Sequence, residues 1–89
     1  MDPEVLADAY SKEGDILAAA RKFEEAIVLY DRAIEVDPEN SEAWTRKAIA
    51  LKALGRTREA LECVERALDL SASPIAEELR ESLVGKSGQ

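Results

Sequence analysis

Apolar residues recur along this chain at the spacing of α-helices. Between Phe23 and Ile34 they occupy positions i, i+3, i+4, i+7, i+10 and i+11, which is the stripe of a helix buried on one side. The preceding segment carries a second stripe at helical spacing, formed by Leu6, Tyr10, Leu17 and Ala20. The pattern therefore predicts a pair of helices in the first forty residues and no strand.

The same pattern returns 34 residues later, so the chain contains an internal repeat. "KFEEAIVLYDRAIEVDPENSEAW" begins at Lys22, and its counterpart "RTREALECVERALDLSASPIAEEL" begins at Arg56. When residues 7–40 are laid over 41–74 without a gap, Ala26, Arg32 and Ala33 meet identical residues. The aromatic positions and the small positions also coincide, as Tyr10 with Trp44 and Gly14 with Ala48. The second unit is therefore predicted to be a second helix pair.

Prolines and capping residues mark where these helices begin and end. Pro38 ends the second helix because proline disfavours helical backbone in the residue before it and cannot continue the hydrogen-bond ladder. Asn40 or Ser41 can cap the third helix, and Ser73 followed by Pro74 is a cap and first-turn pair for a fifth.

The predicted fold is all-α, an α/α superhelix of antiparallel helix hairpins with five helices. The second repeat lacks its closing proline, and Pro74 follows two residues late, which predicts a slightly longer connection before the last helix. The predicted organisation is one domain at 1–84, with a first repeat at 7–40, a second repeat at 41–74, a capping helix at about 74–84 and a flexible tail at 85–89.

The period and the residues at fixed positions resemble the tetratricopeptide repeat, whose unit of 34 residues carries W-x2-L-G-x2-Y, then A-x3-F, then P. The first unit matches with Tyr10, Gly14, Ala26, Tyr30, Ala33 and Pro38, and the second with Trp44, Ala48, Gly55, Ala60 and Ala67. The chain departs from the family at Glu13 and Lys47, which replace leucine, and at Arg21, which replaces the turn glycine. The resemblance covers residues 7–74.

The resemblance implies a concave surface, lined by the first helix of each pair, that receives an extended peptide or a helix of another protein. By position, this groove is lined by Asp8, Ser11, Lys12, Asp15, Ala18, Ala19, Glu42, Thr45, Arg46, Ile49, Lys52 and Ala53. Ile49 among alanines gives an apolar floor with a charged rim, which suits a protein ligand. The clamp with which some family members hold a free carboxylate falls on Ser11, Asp15, Arg46, Ala76 and Arg80. Only Arg80 has the required type, so we expect no such clamp.

The charge is unevenly distributed. The net charge is −7, and residues 1–40 hold eleven acidic and four basic residues against eight of each in residues 41–89. An acidic chain lacks the basic stripe that nucleic-acid binding requires, and it is repelled by anionic lipid. No apolar segment has the length of a signal or a membrane span. A single cysteine fits a reducing compartment, so we expect a soluble cytoplasmic protein that binds neither nucleic acid nor membrane.

The sequence offers no catalytic, cofactor-binding or metal-ligating set. It contains no histidine, and Cys63 has no base beside it. We therefore expect a non-catalytic module that binds a protein or peptide partner. Two alternatives remain: a homodimer formed through the C-terminal helix, whose apolar residues Ile75, Leu79, Leu83 and Val84 exceed the need of one packing face, or a part of a longer repeat array.

Overall fold

A computed structural model describes residues 2–85, and within that range the chain forms helices and no strand, which confirms the predicted all-α class. The helices are α1 (Pro3–Ala19), α2 (Phe23–Val36), α3 (Ser41–Ala53), α4 (Thr57–Leu70) and α5 (Pro74–Val84). The tail predicted at 85–89 lies outside the described residues except for Gly85, whose backbone is still helical with φ −64° and ψ −35°.

The two hairpins, α1 with α2 and α3 with α4, stack side by side, and α5 closes the stack on α3 and α4. α1 contacts α3 and α3 contacts α5, whereas α2 and α4 do not contact each other within residues 2–85. The stack therefore curves, with α1, α3 and α5 on its concave side. Its extents are 47 × 27 × 17 Å.

Within each hairpin, a small residue on the first helix allows the second helix to approach closely. A Cβ atom added at Gly14 would lie 2.6 Å from Tyr30 Cε1 and 2.8 Å from Cδ1. At the equivalent positions of the second hairpin, Ala48 and Val64 are both fully buried in one cluster. Val64 on α4 is smaller than its counterpart Tyr30 on α2. The second hairpin therefore has room for Ala48 on α3 at the position where α1 needs Gly14.

The buried face of α1 differs from the predicted stripe. Its buried residues are Ala7, Ser11 and Gly14, whereas Leu17 is half-buried and Ala20 is exposed. The physical reason is that α3 packs beside α2, so the side of α1 that faces both helices becomes the core. Tyr10 and Leu17 of the predicted stripe are only partly buried, and they pack against the buried clusters that join the two hairpins.

The hairpin turns share one geometry although their residues differ. Gly55 has φ 80°, and Arg21 takes the same left-handed conformation with φ 67°. In the second turn the Arg56 amide donates to the Leu51 carbonyl at 2.9 Å, and the Lys22 amide makes the equivalent bond in the first. These bonds close the helix ends in the manner of a Schellman motif. Arg21 therefore replaces glycine without changing the turn.

The connection between α4 and α5 is one residue shorter than the connection between α2 and α3. The longer connection expected from the sequence is therefore wrong. Asn40 is the residue that caps α3, accepting a hydrogen bond from the Ala43 amide at 3.2 Å. Ser73 caps α5 in the same way, from the Ala76 amide at 3.3 Å. The two caps are 33 residues apart because Ser73 and Pro74 start the helix at once. Every residue of α5 is therefore shifted by one relative to the repeat.

Candidate functional site

Two adjoining cavities lie on the concave side, one on each flank of α3, and together we call them the central groove. The cavity between α1 and α3 has a volume of about 420 Å³, and the cavity between α3 and α5 has a volume of about 210 Å³. Arg46 and Ile49 line both cavities. The first is completed by Asp15, Ala18, Ala19, Phe23, Tyr30 and Ala50, and the second by Ser41, Glu42, Thr45, Ala67, Ser71, Ser73 and Ile75.

The floor of the central groove is apolar and open to solvent. Ile49 is 46% exposed, and Ala18 and Ala19 lie across the first cavity from it. Ile75 lines the second cavity and is 64% exposed. From the sequence, Ile75 was assigned to the apolar set of the C-terminal helix that suggested a homodimer, and its place in the groove was missed. The capping residue Ser73 was the feature from which the shorter register could have been inferred.

A chain of polar contacts fixes the charged groups beside this floor. The Tyr30 hydroxyl donates to Asp15 Oδ1 at 2.6 Å, and Arg46 Nη1 lies 3.6 Å from Asp15 Oδ2 and 3.7 Å from Glu42 Oε1. Burial, together with this hydrogen bond, raises the pKa of the Tyr30 phenol well above its usual value, so the hydroxyl stays protonated and donates. The Arg46 cation therefore stands between two carboxylates and links α1 to α3.

The remaining charged residues predicted for the groove, Asp8, Lys12 and Lys52, line neither of its two cavities. Lys12 Nζ is 3.3 Å from Asp8 Oδ2, one helical turn away on α1, and both are exposed. Lys52 Nζ donates to Ser82 Oγ at 2.5 Å, which ties α3 to α5. The Thr45 hydroxyl donates to the Ser41 carbonyl at 3.1 Å within α3, and Thr45 lines the second cavity.

Ser11, also predicted for the groove, is buried in the core. It is 2% exposed, and its hydroxyl has no hydrogen-bond partner among the described residues. It lies on the side of α1 that the neighbouring helices cover, between the buried positions Ala7 and Gly14. Ser11 therefore does not line the groove, and carrying positions over from the family was wrong at this residue.

The shorter register of α5 also changes the positions compared with the carboxylate clamp. Counted from the caps, Ile75 and Leu79 stand where Glu42 and Arg46 stand on α3. These two apolar residues, rather than Ala76 and Arg80, therefore occupy the last two clamp positions. The absence of a clamp stays a prediction, and it now rests on an apolar pair at the site where a cation is required.

The described part of the chain also bears on nucleophilic catalysis, metal binding and membrane insertion. Cys63 is buried, and burial raises the pKa of its thiol, which disfavours the nucleophilic thiolate. Across residues 2–85 no three potential metal-ligating side chains cluster. None of the helices α1 to α5 combines the length and apolarity needed to cross a bilayer.

Comparison with known proteins shows which family the chain resembles. The family described as Tetratricopeptide repeat matches this chain over residues 17–83. An uncharacterized protein of Methanocaldococcus jannaschii is 40% identical over 62 residues, which are 70% of this chain and 72% of that protein. The TPR repeat-containing thioredoxin TTL4 of Arabidopsis thaliana is 40% identical over 60 residues, 66% of this chain and 9% of the relative. DnaJ homolog subfamily C member 7 of Homo sapiens is 32% identical over 88 residues, 90% of this chain and 18% of the relative. The chain thus spans most of the archaeal relative and under a fifth of the other two.

Proposed function

Because this chain belongs to the tetratricopeptide repeat family, we propose that it is a non-catalytic module that binds a segment of a partner protein in the central groove. The observation that carries the proposal is the position of Ile49. A half-exposed isoleucine forms the wall shared by two adjoining cavities, at the middle of the concave side. An apolar side chain of a ligand placed there would remove water from Ile49 and the alanines beside it.

The polar contacts beside the floor support the same proposal. Arg46 pairs with Asp15, and Asp15 in turn accepts a hydrogen bond from the buried Tyr30, so this side of the groove is formed before a ligand arrives. A preformed site loses little conformational entropy on binding. Nothing among these residues provides a base beside a nucleophile, and the lone thiol of Cys63 lies buried on α4. The proposed module therefore holds a partner and leaves it chemically unchanged.

Mapping the bound ligand on the protein tests this proposal. The probe is a peptide of about twelve residues selected on the immobilised chain from a displayed random library, since an extended segment of that length spans about 40 Å. We expect its addition to shift the amide resonances of α1, α3 and α5 around Asp15, Arg46 and Ile49, because these residues line the groove. Shifts confined to the outer faces of α2 and α4 would refute the groove as the binding site.

Self-association is the second candidate, and the uncovered side of the first hairpin favours it. Ile16 is 70% exposed beside Leu17 and Leu29, whereas its repeat equivalent Ala50 is 1% exposed under the first hairpin. The face therefore matches one that is covered when hairpins stack. The C-terminal helix exposes less apolar surface for a dimer than the sequence suggested. Leu79 is buried and Leu83 packs against the same core, so of the four apolar residues only Ile75 and Val84 are exposed.

Sedimentation velocity across a range of concentrations separates this candidate from binding alone. If the face self-associates, the wild type sediments as a dimer at high concentration and the Ile16→Asp variant as a monomer. A wild type that stays monomeric throughout rules out the homodimer, whether through this face or through α5.

A further inference from the structure

A third cavity, of about 510 Å³, adjoins the central groove at the N-terminal ends of α1 and α3. Its charged lining consists of the four carboxylates Glu4, Asp8, Asp37 and Glu39, with no lysine or arginine among its lining residues. Ser41 lines both this cavity and the groove cavity between α3 and α5, so the two cavities are neighbours. We call these four carboxylates the acidic end.

Few cations balance the acidic end. Lys12 pairs with Asp8, and Asp37 Oδ1 accepts a hydrogen bond from the Glu39 amide at 3.3 Å. No ion pair of Glu4 or Glu39 occurs among the described residues. Farther along the groove, Arg46 is shared between Asp15 and Glu42, so its charge is already matched. The concave side is therefore negative at one end and apolar at its centre.

We propose that the groove selects a basic and apolar segment, which places an apolar side chain against Ile49 and lysine or arginine side chains at the acidic end. This inference rests on the proposed function and adds the charge class of the partner segment. An acidic segment would meet Glu4 and Glu39 with like charge, while a basic one is steered to the groove and held there. The apolar contact gives the segment its position, and the charges give it its direction.

Fluorescence anisotropy with defined peptides on the intact chain tests the charge class. The probes share an apolar core of two leucines and an alanine, flanked on one side by four lysines or by four glutamates. Each is made with the charged run before the core and with the run after it, because the direction of the bound segment is not assumed. We expect one lysine peptide to bind about tenfold more tightly than either glutamate peptide at low salt, and to weaken as salt is added.

Paired variants of equal charge change locate the effect. Glu4→Gln with Glu39→Gln is expected to weaken the lysine peptide about fivefold, while Glu62→Gln with Glu65→Gln, on the exposed face of α4, leaves its affinity unchanged. Helical circular dichroism of both double variants should equal that of the wild type. Equal affinity for lysine and glutamate peptides, tighter binding of a glutamate peptide, equal weakening by both double variants, or no binding of any of these probes would each overturn the charge class. The peptide selected from the displayed library would in that case still report independently on the groove.

Discussion

Replacing Gly14 with alanine is expected to lower the free energy of unfolding by about 2 kcal/mol. The new Cβ would lie 2.6 Å from Tyr30 Cε1, so either the tyrosine ring or the axis of α1 has to move. Moving the ring also lengthens the 2.6 Å hydrogen bond to Asp15, which joins the core to the groove. Urea unfolding followed by circular dichroism measures the loss. An unchanged midpoint would show that the contact between α1 and α2 is looser than described.

The second hairpin supplies the compensating change. Its residues at the two equivalent positions are Ala48 and Val64, so Tyr30→Val should create the room that Gly14→Ala needs. Tyr30→Val alone is also destabilising, because it leaves a cavity and removes the partner of Asp15. The double variant is expected to lose less stability than the two single losses added together. Strict additivity would mean that the two positions do not share one packing contact.

The overall fold followed from the sequence because two independent features agreed. The apolar spacing gave the type of each element, and the 34-residue period gave the pairing of the hairpins. What failed was the register of α5, where the position of Pro74 suggested a longer connection. Ser73 caps that helix and Pro74 is its first residue, so this proline belongs to α5 and is not the counterpart of Pro38 in the preceding connection.

The groove was predictable only in part, for a physical reason. Ile49, Arg46 and Asp15 were predicted for the groove from their family positions, and all three line its first cavity. Ser11 was misplaced because the family pattern does not specify how far α1 is covered by its neighbours. The hydrogen bond between Tyr30 and Asp15 was not predicted. Tyr30 was assigned to the apolar stripe of α2, and the contact of its hydroxyl with a carboxylate on α1 depends on how the two helices pack.

Replacing Ile49 with aspartate is expected to weaken the peptide selected from the displayed library about thirtyfold or more. The substitution puts a charge where the apolar side chain of the ligand has to be buried, and a buried charge without a partner is strongly unfavourable. It also sets a carboxylate beside the alanine floor and the paired Asp15. Because Ile49 is half-exposed and belongs to none of the buried clusters, the fold should tolerate the change.

Val28 provides the matched control on the other side of the molecule. It is 48% exposed on α2, so Val28→Asp makes the same kind of change at nearly the same exposure but outside the groove. The affinity of one selected peptide for the two variants is the measurement that tests the concave binding surface most directly. A large loss with Ile49→Asp and wild-type affinity with Val28→Asp is the expected result. Equal affinities of the two variants would contradict the proposed groove.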